Sequence, residues 1–413
     1  MAFGLDSAPR AEDRKIRCRG RKPVGLHLRL TTNCSRFMTT QAWHIHKTQV
    51  LPLQGPLIQP FRTALGSHDT LDNLLFVLTL VDGTKGYGEA AVATHITGEK
   101  LSVTRRNLQT AGHWLAGQDV RDASAISRAL HERWDNNPAM IAAVEMAVFD
   151  ALTRQFGCPL WKLFGPRCRK MQTDITIVIA PPAQTQNAVK RFYRQGFRQF
   201  KVKIGRDFDL DVARVAAVRR LAPKAVIYLD ANQGFCAATM LKFLKALKRL
   251  KIRPALIEQP VPRADLEGLK KISCSTDIPV CADESVRSLS DAAAVIRARA
   301  ASVVSVKLMK SGLVEAAAIA HATRAAGLKL MISGMMESPL AMTASAHLAA
   351  GLGCFSYIDL DTPFFIRGNA AGHRYLSAKG VYDLRDVKHG VGIIPRRLGN
   401  VGTREESIWE FGY

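Results

Sequence analysis

Short apolar runs recur through the middle of the chain, and segments with the periodicity of amphipathic helices separate them. The predicted strands are TDITIVIA (173–180), FKVKIG (200–205), AVIYLDAN (225–232), ALIEQP (255–260), IPVCADES (278–285), VVSVKLM (303–309), LKLMISG (328–334) and YIDLD (357–361). Strands that alternate with helices at a spacing of roughly 20–30 residues predict βα repeats and a parallel sheet. Eight such units are the number that closes a barrel.

An open, doubly wound α/β sheet is the alternative architecture. It calls for a glycine-rich fingerprint directly after its first strand. The nearest match, GYGEA (86–90), is a weak version of that motif and precedes the repeats, so the pattern favours the barrel.

The residues in front of the repeats have a different pattern. Two strand-like runs, 43–53 and 73–92, predict an antiparallel meander in which Asp82 and Gly83 form a hairpin turn. Three helical segments follow, at roughly 97–116, 122–135 and 139–156. We therefore predict a separate α+β domain over residues 42–165, ahead of a barrel over residues 166–390.

The first 41 residues are basic, with nine Lys or Arg against three acidic residues and little hydrophobic periodicity. Residues 24–30 are too short and too interrupted to form the apolar core of a secretory signal. We predict a disordered extension over residues 1–41 or a start codon assigned too early, in preference to a targeting peptide.

The composition is that of a globular protein, with 47% apolar residues in a chain of 413. The chain has no apolar run of 18 residues, which argues against a membrane span. A net charge of +23 raises nucleic-acid binding as an alternative. The basic residues are nevertheless spread over helix-like segments, so we expect no nucleic-acid partner. The eight scattered cysteines match no common zinc pattern and indicate reduced thiols in a cytoplasm.

Charged residues follow the predicted strands at the edge where a barrel carries its chemistry. Residues two apart on a strand share a face, so the two lysines of FKVKIG point the same way. The residues at these strand ends are Lys201, Lys203, Asp230, Asn232, Glu258, Asp283, Glu284, Lys307, Asp359 and Asp361.

Three of these carboxylates, Asp230, Glu258 and Asp283, follow three successive strands. Convergent carboxylate oxygens with open positions suit a hard divalent cation, of which Mg²⁺ fits best. A lysine accepts a proton only if its pKa is lowered, and a neighbouring ammonium and a divalent cation both act in that direction.

Two lysines from opposite sides of the barrel suggest a reaction. One lysine of the pair Lys201 and Lys203 would face one side of a carbon of the bound substrate, and Lys307 would face the opposite side. Removing a proton next to a carboxylate forms an enediolate, and a cation near the carboxylate oxygens stabilises its charge. The pattern predicts proton removal from one face and return to the other.

The ordered motifs KVKIG, LDANQG, IEQP, ADES and VKLMKSG resemble the enolase superfamily, muconate-lactonizing subgroup. The resemblance runs from about residue 43 to near the C-terminus. It implies a (β/α)₇β barrel and a capping domain that the C-terminal tail, residues 391–413, helps to close. It also implies a homo-oligomer.

The resemblance assigns roles residue by residue. Asp230, Glu258 and Asp283 correspond to the ligands of one Mg²⁺ per subunit. Lys203 and Lys307 correspond to the two acid/base groups, and Lys201 supports Lys203. Asn232 and Glu284 are candidates for positions just behind the metal ligands.

The last strand resembles that of dipeptide epimerases. YIDLD (357–361) matches their DxD motif, in which the two aspartates, here Asp359 and Asp361, bind the free α-ammonium of the substrate. TDIT (173–176) also matches, with Thr176 near the peptide. The implied activity is an isomerase reaction at the α-carbon of the C-terminal residue of a dipeptide. N-Acylamino acid racemase, o-succinylbenzoate synthase and cycloisomerase remain alternatives within the subgroup.

One position departs from the members that act on Ala-Glu. They carry an arginine in the first loop of the capping domain, and the matching position here is Gly66. This departure favours a bulkier, apolar or cationic side chain in the substrate.

Overall fold

An eight-stranded parallel barrel and a three-stranded antiparallel sheet are the main sheets of the protein. The structure, a computed structural model, describes residues 40–369, 372–397 and 409–413. The predicted basic extension, residues 1–41, therefore lies outside the described residues apart from its last two positions.

The antiparallel sheet and four helices form the N-terminal part. Its elements are a 3₁₀ turn (Thr40–Trp43), β1 (Ile45–Arg62), β2 (Ser67–Leu80), β3 (Lys85–Ala90), α1 (Thr94–Thr97), α2 (Leu101–Leu115), α3 (Ala123–Trp134) and α4 (Pro138–Gln155). The predicted turn at Asp82 and Gly83 joins β2 to β3, and Gly83 has the positive φ of 89° that such a turn requires. The sequence did not reveal how far β1 and β2 extend, because their polar alternation weakens near the β1–β2 turn.

Helix α4 is buried on nearly all sides because it lies between β3 and the barrel. Two glycines of β3 permit the close approach. A Cβ atom at Gly86 would lie 2.0 Å from the carbonyl oxygen of Ala147, and one at Gly88 would lie 1.9 Å from that of Ala143.

The barrel contains all eight predicted strands, each somewhat shorter than its apolar run. They are β5 (Ile175–Ile177), β6 (Gln199–Lys203), β7 (Val226–Asp230), β8 (Leu256–Glu258), β9 (Val280–Ala282), β10 (Val303–Val306), β11 (Lys329–Ser333) and β12 (Phe355–Asp359). The intervening helices are α5 (Pro182–Gln195), α6 (Phe208–Leu221), α7 (Ala237–Arg249), α8 (Leu266–Ser275), α9 (Leu289–Ala298), α10 (Leu308–Ala325) and α11 (Pro339–Leu352).

The strands run in sequence order around a near-closed ring. Hydrogen bonds join its ends: Asp174 N donates to Ile358 O at 3.0 Å, and Leu360 N donates to Thr173 Oγ1 at 2.8 Å. The fold is therefore the (β/α)₇β barrel with an α+β domain, as predicted, and the open doubly wound alternative is wrong.

Two buried carboxylates of the N-terminal part cap helices of the barrel. Glu89 of β3 accepts hydrogen bonds from Ser338 N at 2.9 Å and Ala341 N at 3.3 Å, at the start of α11. Glu145 of α4 accepts from the backbone N–H groups of Leu313 and Val314, just after α10 kinks at Gly312. Anionic groups at helix N-termini satisfy free N–H donors and oppose the helix dipole.

Short strands complete the C-terminal region. They are β13 (Val381–Tyr382), which pairs with β4 (Met171–Gln172), and β14 (Ile394–Arg397), which pairs with β15 (Trp409–Gly412). Strand β15 lies beside β1. Within the described ranges, no helix combines the length and the hydrophobicity needed to cross a bilayer.

Candidate active site

The two lysines of β6 point into the barrel and are almost fully buried. Lys203 Nζ lies 2.6 Å from Asp230 Oδ2. Lys201 Nζ lies within 2.9 Å of three carboxylates, those of Asp230, Glu258 and Asp359. The two lysines of β6 therefore form ion pairs with carboxylates at the ends of β7, β8 and β12.

The three predicted metal ligands lie at the C-terminal ends of β7, β8 and β9. Burial raises the pKa of Asp230, but the ammonium groups of Lys201 and Lys203 outweigh it and lower that pKa to about 2. Burial followed by the charge of Asp230 holds the pKa of Glu258 well above its ordinary value. The pKa of Asp283 is lowered because two more lysines offset its burial.

Lys307 and Lys310 are those two lysines. Lys307 Nζ lies 2.8 Å from Asp283 Oδ2. Lys310 Nζ donates to Asp283 O at 2.6 Å, to Asp283 Oδ1 at 2.8 Å and to Ser305 O at 3.0 Å. The sequence analysis missed Lys310, whose only signal was a lysine in the VKLMKSG motif three positions after Lys307.

Strands β6 and β10 stand four places apart in the ring of eight, so Lys203 and Lys307 reach the same pocket from opposite sides. For Lys307, burial lowers the pKa, but Asp283, Glu258 and Glu284 outweigh it and the net shift is upward. The pKa of Lys201 is also raised, by Asp230, Asp359 and Glu258 against burial. The expected lowering of lysine pKa values therefore requires a cation that takes up the carboxylate charge.

Asn232 and Glu284 form a hydrogen-bonded link behind these groups. Asn232 Oδ1 accepts from Lys203 Nζ at 3.3 Å, and Asn232 Nδ2 donates to Glu284 Oε1 at 3.3 Å. Burial followed by the charge of Asp283 raises the pKa of Glu284 to about 7.

A second group of carboxyls lies where the last strand meets the first. One oxygen from each of Asp174, Asp359 and Asp361 lies within 4.8 Å of the others, and all three side chains are buried. Asp359 Oδ2 lies 2.6 Å from Lys201 Nζ, and Asp361 Oδ2 accepts from Thr176 N at 2.6 Å. Asp174 was missed by the sequence analysis, although it shares a strand face with Thr176 and so was open to inference.

The pocket that these groups line has an apolar side. Phe61, Ile96, Met335, Met336 and Met342 contribute to it. Gly66 lies in the turn between β1 and β2, where its carbonyl accepts from Thr63 N at 2.9 Å. Its neighbours Phe61, Thr63 and His68 line the pocket, so this turn forms part of the wall.

The chemistry of Asp230, Glu258 and Asp283 fits a divalent cation. They offer only oxygen ligands, from three adjacent strands, which is the donor set that Mg²⁺ prefers. Glu258 Oε1 is buried and receives no hydrogen bond within the described part of the chain. The other group, Asp174, Asp359 and Asp361, also brings carboxylate oxygens within 4.8 Å of one another, but the motifs LDANQG, IEQP and ADES predict the metal at Asp230, Glu258 and Asp283.

Comparison with known proteins identifies the family. Residues 184–397 match the family model "Enolase C-terminal domain-like", and residues 46–165 match "Mandelate racemase / muconate lactonizing enzyme, N-terminal domain". A hydrophobic dipeptide epimerase of Citrifermentans bemidjiense is 47% identical over 352 residues, 83% of this chain and 96% of that protein. An aromatic dipeptide epimerase of Herpetosiphon aurantiacus is 38% identical over 82% of this chain and 96% of that protein.

A solved structure is similar over the same region. The crystal structure of a dipeptide epimerase from Enterococcus faecalis, complexed with Mg and the dipeptide L-Leu-L-Tyr, superposes with a TM-score of 0.80 at 30% identity. The match covers 84% of this chain and 99% of that one. The chain belongs to the mandelate racemase/muconate lactonizing enzyme family of the enolase superfamily.

Proposed function

We propose that the protein is a Mg²⁺-dependent dipeptide epimerase that inverts the α-carbon of the C-terminal residue. One observation carries the proposal: Lys203 and Lys307 enter one pocket from opposite sides, and the buried pair Asp359 and Asp361 lines the same pocket. The similar dipeptide epimerases support it.

The aspartate pair supplies the recognition of a free N-terminus. Two ionised carboxylates facing one ammonium form charge-assisted hydrogen bonds. An N-acylamino acid or a cycloisomerase substrate carries no ammonium, so such a ligand would bring no positive charge to face this pair. The geometry thus favours dipeptides over the other activities of the subgroup.

The lysines perform the proton transfer. One lysine, in its neutral form, removes the α-proton from one face and leaves the electron pair in an enediolate. The other, protonated, returns a proton to the opposite face. The product has inverted configuration and the two lysines have exchanged protonation states, which a proton exchange with solvent resets.

Asp230, Glu258 and Asp283 would hold the Mg²⁺. When bound, the ion supplies positive charge that stabilises the negative charge on the substrate carboxylate. Lys310 holds the Asp283 carboxylate in place through a hydrogen bond. Asn232 accepts from Lys203 and donates to Glu284, so this link orients the Lys203 ammonium.

We propose an apolar side chain for the epimerised residue. Phe61, Ile96, Met335 and Met336 offer hydrophobic surface, and Gly66 offers no charge to a glutamate. The names of the similar hydrophobic and aromatic dipeptide epimerases agree with this preference.

Organisation and location are also proposals. Residues 42–165 act as a capping domain and residues 166–390 as the catalytic barrel, with residues 391–413 returning to the cap. The position of β15 beside β1 supports this division. We further propose a cytoplasmic homo-oligomer; the six cysteines of the described ranges are free, which supports a reducing compartment, and light scattering would test the oligomeric state.

Deuterium uptake tests the function directly. The protein with Mg²⁺ in D₂O is incubated with a panel of L-Ala-L-Xaa dipeptides and with the matching N-acetyl amino acids. Uptake at the α-carbon of the C-terminal residue, strongest for apolar Xaa, is the expected result. Uptake confined to the N-acetyl compounds would instead establish an N-acylamino acid racemase.

A further inference from the structure

Asp174 is a buried acid that the proposed reaction leaves without a role. It directly precedes β5, and its side chain is fully buried. Neither of its carboxyl oxygens receives a hydrogen bond from the N–H and O–H donors of the described residues. A buried, ionised carboxylate in this position would carry a large desolvation penalty.

The charges around Asp174 add to the cost of ionising it. Asp359 and Asp361 face it from the end of β12, Lys201 from β6 and Tyr228 from β7. Lys201 is the only cation of the four, and it is shared with Asp230 and Glu258. A dipeptide ammonium would bring one more positive charge, so Lys201 and the ammonium would balance two carboxylates and leave the third in excess.

We propose that Asp174 is a positioning residue of the ammonium pocket, which remains a neutral acid and donates its O–H to Asp359. Its proton would remove the excess charge and hold Asp359 in place, so that Asp359 and Asp361 face the ammonium as two ionised groups. The inference rests on the proposed dipeptide epimerase function.

Burial and the position of the neighbouring carboxyls support the neutral form. Burial, followed by the charges of Asp359 and Asp361, holds the pKa of Asp174 well above its ordinary value. The carboxyls of Asp174 and Asp359 also lie within hydrogen-bonding reach of each other, and such a contact needs a proton on one of the two groups. Lys201 Nζ and Thr176 N donate to Asp359 and Asp361, so Asp174 is the member of the group without a donor of its own among the described residues.

An infrared measurement tests the protonation without any substrate. A protonated carboxylic acid has a C=O stretch distinct from that of a carboxylate, and it shifts in D₂O. The difference spectrum of wild type minus Asp174→Asn at pH 8 should show one such band. The absence of the band, with the variant folded by circular dichroism, would overturn the proposal.

Kinetics test the positioning role. Asn has the shape of Asp, keeps a donor for Asp359 and cannot ionise, so Asp174→Asn should retain most of the dipeptide binding that Asp174→Ala loses. Asp174→Ala lacks the donor, so KM should rise about tenfold or more with kcat little changed, as for loss of a hydrogen bond to a charged group. An Asn variant as impaired as the Ala variant, or an Ala variant with normal KM, would contradict it.

The pH profile separates the proposal from a purely structural role. Asp361, with a pKa raised to about 7, should set an inflection in dipeptide KM. If Asp174 is neutral, the inflection stays in place in Asp174→Asn; if it is ionised, losing its charge moves the inflection to lower pH. Deuterium uptake by wild type is measured alongside: no uptake from any dipeptide removes the proposed function and this inference with it, whereas uptake without the infrared band removes only the inference.

Discussion

The substitution Asp361→Asn is the most informative test of substrate recognition. Asp361 Oδ2 accepts only the backbone N–H of Thr176 among the hydrogen bonds of the described residues, whereas Asp359 also pairs with Lys201. Asn at 361 therefore removes one negative charge from the pocket and leaves the lysines undisturbed. We expect a rise in KM for dipeptides with kcat nearly unchanged.

The magnitude follows from the contact that is lost. A hydrogen bond to a charged group contributes about 1.5–3 kcal/mol. Because about 1.4 kcal/mol corresponds to a factor of ten, KM should rise about 10- to 150-fold. Asp359→Asn should lower kcat as well, because it also removes a partner 2.6 Å from Lys201 Nζ.

The charge state of Asp361 should also make the KM for dipeptides depend on pH. Burial, followed by the charge of Asp359, raises the pKa of Asp361 to about 7. Below that pH the carboxyl gains a proton and loses its attraction for the ammonium, so KM should rise by up to about tenfold for each pH unit. The Asn variant should lack this inflection.

The assay is α-proton exchange with a dipeptide that shows uptake with wild type, followed by mass spectrometry from pH 5.5 to 9. Asp209→Asn, on the exposed start of α6, is the matched control and should behave as wild type. A normal KM in Asp361→Asn at pH 8 would refute the ammonium-binding role.

Three further tests address the lysines and the metal. Lys203→Ala and Lys307→Ala should each abolish epimerisation while one enantiomer still exchanges its α-proton, and the exchanging enantiomer should differ between them; full epimerisation by either rules out two bases. Exhaustive chelation should stop exchange and Mg²⁺ should restore it, so that exchange persisting under chelation excludes the metal assignment. Lys310→Met removes one of the two buried lysines that pair with Asp283 and should cost about 1.5–3 kcal/mol in urea unfolding, against about 0.5 kcal/mol for the exposed control Lys242→Met; equal losses would contradict its anchoring role.

Much of the barrel could be predicted because its chemistry follows a simple rule. Strand ends in a parallel barrel meet at one edge, so charged residues after apolar runs, such as Asp230 and Glu258, had to converge. The alternation of β6 likewise indicated that Lys201 and Lys203 share a face.

The residues and pKa shifts that the sequence did not reveal depend on contacts between distant parts of the chain. Lys310 lies in a segment with helical periodicity, where a lysine is predicted to be exposed to solvent. In the structure it is buried near the kink at Gly312 and donates to Asp283. The upward pKa shifts of Lys201 and Lys307 depend on distances across the barrel, which no local pattern encodes.

The carboxylate caps of Glu89 and Glu145 have a consequence for how the chain acquires its structure. Each of these side chains accepts hydrogen bonds from helix amides that are synthesised far later, by 168 residues for Leu313 and 249 for Ser338. Contacts of such high sequence separation slow folding, because a long loop must close before they form. In the nascent N-terminal segment, Glu89 and Glu145 have side-chain partners such as Asn73 and Ser127 but not the helix amides that they cap in the folded protein. A barrel expressed alone would leave the amides of Leu313 and Ser338 without these acceptors. The N-terminal part and the barrel should therefore unfold in a single cooperative transition. A chimera that takes one of these parts from a relative should be stable only if the acids at positions 89 and 145 still meet the helix amides that they cap.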